Sequence, residues 1–116
     1  MEEARSTPVV DATYRNMVAE ALGAHEVRLL SEDTLAAAER LARTAGDTAA
    51  EVAWREAHRL VGGSGSLGLA ALSQALRSLE QALDPGAPGG TDLNRRCSEL
   101  LRQVDATRAA LALQQV

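Results

Sequence analysis

The sequence predicts an all-α fold, an antiparallel up-down four-helix bundle with a short N-terminal covering helix, and three observations predict it. Apolar residues recur at helical spacing in successive segments, and no alternating strand pattern occurs in the 116 residues. The apolar inventory is mostly Ala and Leu, with no Phe, one Trp and one Tyr, so the core is built from small side chains at close range. Helix packing suits such a core better than sheet packing. Four long amphipathic segments follow a short one, and short loops between them make neighbours antiparallel.

Ser6-Thr7-Pro8 offers an N-cap with proline in the first turn, and Val10, Tyr14, Met17 and Ala21 carry an apolar face until Gly23 closes the segment. A second helix starts near residue 25, with Val27, Leu30, Leu35, Ala38, Leu41 and Ala42 leading to Gly46 and Ser31 to Thr34 offering an irregularity or restart. Asp47 can cap a third helix over about residues 48 to 66, with Ala53, Ala57, Leu60 and Leu67 on one side and His58 nearly opposite. After Gly68 a fourth helix carries Leu69, Leu72, Leu76, Leu79 and Leu83, an apolar seam of bundle type. Asp84-Pro85-Gly86-Ala87-Pro88-Gly89-Gly90 cannot continue it and predicts a long surface loop. A last helix begins at Thr91 or Asp92, its seam being Leu93, Cys97, Leu100, Val104, Thr107 and Leu111. The chain, residues 1–116, reads as one domain, with residues 1–6 expected to be disordered.

A net charge of −4, no basic run and almost no aromatics argue against a nucleic-acid partner. All twelve basic residues are Arg, which excludes Schiff-base chemistry and a phosphate-loop lysine. One cysteine, Cys97, forms no internal disulfide, and it sits in the last helix's seam as buried filler. With no signal peptide and no long apolar span, the cytoplasm is the expected compartment and no membrane partner is expected.

His58 is the informative residue, because Gly62 lies one turn beyond it and Gly65 two turns beyond, on the same face. Helical glycines cost about 1 kcal/mol each against alanine, a penalty that a docking partner could offset. Neutral imidazole can attack phosphorus without bringing negative charge toward an anionic group. The other histidine, His25, is remote and reads as a solvated residue, and no side-chain cluster has metal-ligand spacing. Trp54, one turn before His58, either tucks against the first helix or joins Val61 in a partner-facing rim.

The run Ala57-His58-Arg59-Leu60-Val61-Gly62-Gly63-Ser64-Gly65-Ser66-Leu67-Gly68-Leu69, with Leu72, Leu76 and Leu79-Glu80, resembles the histidine-containing phosphotransfer (HPt) domain of bacterial multistep phosphorelays. Its glycine run looks most like the phosphotransfer domains of chemotaxis-type histidine kinases. The resemblance implies that His58 takes a phosphoryl group from one receiver domain's aspartate and passes it to another's. The domain itself then holds no cofactor, and the receiver supplies Mg²⁺. The implied partners are response-regulator receiver domains and a hybrid histidine kinase. Glu80 matches the glutamate that orients the imidazole through Nδ1, Arg55 and Arg77 are candidates to neutralise the phosphoryl group, and Trp54, Val61, Gly62 and Gly65 form the docking face. Val61 stands where the family usually has lysine, which favours a competing reading, an HPt-like module that binds or sequesters a regulator without transfer. A third reading is a structural bundle that self-associates through its leucine seams.

Overall fold

The computed structural model describes residues 8–84, 86 and 92–114. The described residues form five α-helices: α1 (Ala12–Leu22), α2 (Ala24–Thr44), α3 (Ala50–Ser66), α4 (Ala70–Leu83) and α5 (Leu93–Gln114), with a 3₁₀ turn over Ala45–Asp47. Among the described residues there is no strand. α2 packs on α3 and α5, and α4 also packs on α3 and α5, so the four long helices close around one apolar cluster. Leu35, Leu60, Leu69, Leu72, Leu76, Leu79 and Leu100 are its most buried large members. Each contributes about 1.5–3 kcal/mol of transfer free energy.

The seams read from sequence in α3, α4 and α5 lie in this core, apart from Leu93, which is half-buried. The helix starts differ. Asp11 caps α1, its carboxylate accepting the Tyr14 N–H at 3.0 Å. The expected cap at Ser6-Thr7 lies outside the described residues, as do the expected disorder of residues 1–6 and most of the 84–90 loop. Thr91 also lies outside them, and α5 begins directly after Asp92. Asp47 does not cap α3, because it belongs to the 3₁₀ turn, and the N-cap residue Ala49 makes no side-chain bond. Neither an irregularity nor a restart interrupts the helix at Ser31 to Thr34, and α2 is continuous.

Arg15 accounts for that continuity and for a rotated α1. Its guanidinium donates to Ser31 Oγ at 3.1 Å and to the Leu67 carbonyl at 2.6 Å. Ser31 is thereby buried in mid-helix with a hydrogen-bond partner, so it need not break the helix. Drawing Arg15 inward turns Tyr14 and Met17 toward solvent, 38% and 60% exposed, and brings Val18 and Ala19 onto the core. Of the face expected for α1, Tyr14, Met17 and Ala21 are therefore exposed, while Val10, just before the helix, packs on the core. Leu30 of α2 is likewise exposed.

The α3–α4 connection is a built corner. Gly68 adopts φ +74°, its carbonyl accepts the Asp11 N–H at 2.9 Å, and the Ala71 N–H donates to the Val9 carbonyl at 3.3 Å. Leu69, fully buried, donates its N–H to the Ser64 carbonyl and closes the end of α3. The corner fixes where α4 starts, and so which α4 residues lie beside His58.

Candidate functional site

Ala57 and Leu60 are buried at 0% and 1% exposure, which sets the rotation of α3 and turns His58 outward. On α4, Leu76, Leu79 and Leu83 occupy the core and place Glu80 on the flank toward α3. The two side chains meet across the helix pair: His58 Nδ1 lies 2.5 Å from Glu80 Oε2. Their exposures differ sharply, 66% for the imidazole and 17% for the carboxylate, so a sheltered group holds an open one. An ionised carboxylate can only accept, which puts the imidazole proton on Nδ1 and leaves the Nε2 lone pair directed outward. That is the form in which an imidazole acts as a nucleophile.

One turn earlier, the Trp54 indole stacks on the imidazole, with ring centroids 5.1 Å apart and planes inclined by 12°. Trp54 is half-buried against the core. It does not tuck against α1, because α1 is bonded to Leu67 and Gly68, about 20 Å farther along α3. One turn later the face is bare. A Cβ built at Gly62 or Gly63 meets nothing within 4 Å, whereas at Gly65 it lies 3.7 Å from Ser73 Oγ. Gly65 thus also serves the close approach of α3 and α4, where Ser73 Oγ donates to the Val61 carbonyl at 3.2 Å. Val61 itself is half-buried and packed on the core.

The cations sit around this face rather than on it. Arg55 pairs with Glu51 at 2.7 Å and lines a groove with Arg40, Leu41 and Val52 on the α2 side, while Glu80 lies on the α4 side. Arg59 pairs with Glu56 at 2.6 Å, a bond that raises its guanidinium pKa. Exposed pairs of this kind contribute about 0–1 kcal/mol, so Arg55 can leave Glu51 at little cost. Arg77 is exposed on α4, one turn before Glu80. Elsewhere, His25 is exposed and meets Arg28 at 3.1 Å, and Cys97 is a buried free cysteine whose thiol pKa burial pushes up. Among the described residues no three His, Cys, Asp or Glu side chains gather as a metal ion would need. No described helix is long and apolar enough to cross a membrane.

Sequence reasoning missed two contacts, one at the histidine and one at the α3–α4 corner. The Trp54–His58 stack was accessible from its i,i+4 spacing, which brings two rings onto one helix face. The Arg15 anchor had no such signal, since its acceptors lie 16 and 52 residues away.

The model of one protein family, the Hpt domain, matches residues 18–110, from within α1 to late in α5. The chain belongs to the Hpt domain family. Hpt domains are phosphocarrier modules of two-component signalling that interact with receiver domains and kinases, so the family implies phosphotransfer for this chain. No curated protein and no solved structure matches it. Within this Hpt domain the exposed imidazole bonded to Glu80 lies on α3, well inside the matched span.

Proposed function

We propose that this Hpt domain carries a phosphoryl group on Nε2 of His58 between the aspartates of receiver domains in a multistep phosphorelay. The observation that carries the reading is the exposed imidazole tied through Nδ1 to a sheltered Glu80. In the forward step the Nε2–P bond forms and the P–O bond to the receiver's aspartate breaks, with the carboxylate leaving on the electron pair. The proton stays on Nδ1, against Glu80, so the ring becomes cationic as the phosphoryl group arrives. The receiver would hold the Mg²⁺, whose chemistry would be charge stabilisation on the phosphoryl oxygens. Nothing in this domain needs to hold a cofactor.

We read α2 to α5 as an antiparallel up-down bundle, a reading that the short connections at the 3₁₀ turn and at Gly68 support, with His58 midway along α3 and Glu80 late in α4. Gly62 and Gly65 leave the approach to Nε2 open, and Arg77 and a released Arg55 are the cations within the chain that could meet the incoming group. We place the domain in the cytoplasm, with a hybrid histidine kinase upstream.

Incubation with a phosphorylated receiver is expected to give an acid-labile, alkali-stable adduct that His58→Gln abolishes. Undiminished labelling of His58→Gln would overturn the assignment. One observation favours a second reading: Val61 packs on the core where a cation would assist transfer. On that reading the face binds or sequesters a regulator, and the same assay would show receiver binding without labelled product.

A further inference from the structure

We infer that Trp54 is a positioning residue for phosphoryl transfer: its indole face fixes the plane of the His58 ring and stabilises the positive charge that ring acquires. The inference rests on the proposed carrier role of His58. The imidazole is 66% exposed and one hydrogen bond holds it, so Glu80 alone fixes Nδ1 in distance but leaves the ring free to tilt about that contact. The indole removes this freedom. The two planes lie within 12° of parallel at 5.1 Å, and the stack comes from one helix, so its geometry follows from the α3 backbone. Trp54 is itself steadied by packing against the core. With Nδ1 held by a carboxylate and one ring face covered by indole, Nε2 and the opposite face are the parts of the ring left open, and Gly62, one turn on, puts no side chain beside them.

The chemistry gives the stack a second effect. The ring is neutral before attack and cationic once the Nε2–P bond has formed with the Nδ1 proton retained. A π face attracts a cation more strongly than a neutral ring. The stabilisation therefore grows along the reaction coordinate, which is the condition for lowering a barrier rather than only tightening a ground state. It acts on the ring and is independent of any cation at position 61, where this chain has Val61.

Two measurements test the role, and one needs no receiver. In protein with ¹³C,¹⁵N-labelled histidine, the ring of His58 is expected to be held as the Nδ1–H tautomer in the parent and in Trp54→Phe. In Trp54→Leu the Nδ1–H tautomer is expected to persist, because Glu80 sets it, while the ring gains motion, read by ¹³C relaxation at its Cε1–H as an order parameter lower than in the parent and in Trp54→Phe. An unchanged ring order parameter in Trp54→Leu would overturn the positioning role. In single-turnover transfer from a phosphorylated receiver, Trp54→Leu is expected to lower the rate at saturating receiver about tenfold, with Trp54→Phe recovering most of it. A loss confined to the half-saturating receiver concentration would instead make Trp54 a docking contact and overturn the inference. Thermal melting of both variants separates misfolding from loss of the stack, and Trp54→Phe keeps the test decisive if Trp54→Leu unfolds. Failure of the parent to accept label would overturn the carrier reading, while the ring-order measurement still decides whether Trp54 orients the ring.

Discussion

Gly62 and Gly68 stand six residues apart on the same stretch of chain, and the surrounding structure treats them in opposite ways. At Gly68 the backbone is at φ +74°, and a Cβ would lie 2.7 Å from Arg15 Cγ, 3.2 Å from Tyr14 Cδ2 and 3.3 Å from the Asp11 carbonyl. At Gly62 the backbone is helical and a Cβ would meet nothing within 4 Å. The first glycine is required by the fold. The second is not, and it weakens the helix that contains it by about 1 kcal/mol relative to alanine. A residue that the folded chain does not need, placed one turn from an exposed histidine, points to a requirement that arises outside the chain, in the complex. The two glycines thus separate what builds the corner from what keeps the face clear.

The largest expected effect is at the corner. Gly68→Ala combines a left-handed backbone with a contact too close for carbon, and is expected to cost about 2–3 kcal/mol. Calorimetry should register a fall in Tm of roughly 10–15 °C. A melting point equal to the parent's would refute the claim that the corner needs glycine. Arg15→Met probes the same corner from the α1 side. Removing the donor to Leu67 and Ser31 is expected to cost about 1–3 kcal/mol, with amide exchange in α1 accelerating first.

Gly62→Ala should behave in the opposite sense, and it sharpens the comparison most. The variant is expected to be more stable by about 1 kcal/mol by chemical denaturation while accepting phosphoryl groups from a receiver at least about tenfold more slowly. Gain of stability with full transfer would show that the open face is not used for access. The smallest effect is a control remote from both glycines. Hydrogen bonds from Arg108, and then Arg43, hold the Glu39 carboxyl below the ordinary carboxylate range. A carboxyl lowered in the folded state stabilises above its unfolded pKa, and that contribution is lost as pH falls through the folded value. The small Tm difference between the parent and Glu39→Gln is therefore expected at pH 7 and should shrink as pH drops below about 4.

The site was legible to different depths. His58 and its glycines share one helix, where spacing converts directly into a common face, so exposure followed from residues 57 to 65 without knowledge of any other element. The leucine seam of α4 was equally legible, because its 3–4 spacing keeps one stripe apolar over the whole helix. The Glu80 contact came from likeness to a family rather than from spacing, since residues 58 and 80 belong to different helices. Cap positions were read less well. Asp47 is a good cap by residue type, yet the chain enters α3 through a 3₁₀ turn, and Asp11, which caps α1, was not singled out.

By itself the sequence determined the all-helical class, the inward stripes of α3, α4 and α5, and the outward histidine with a clear approach. These depend on periodicity within single helices, which local geometry transmits without loss. Only the tertiary structure decided how α1 is rotated, what ties it to the α3–α4 corner, and that Glu80 reaches the imidazole from a second helix. The Arg15 bonds and the Glu80 contact join residues 16 to 52 positions apart, and no periodicity carries such pairings. A helix states which of its faces is apolar, whereas the packing of its neighbours determines which polar groups meet across the seam.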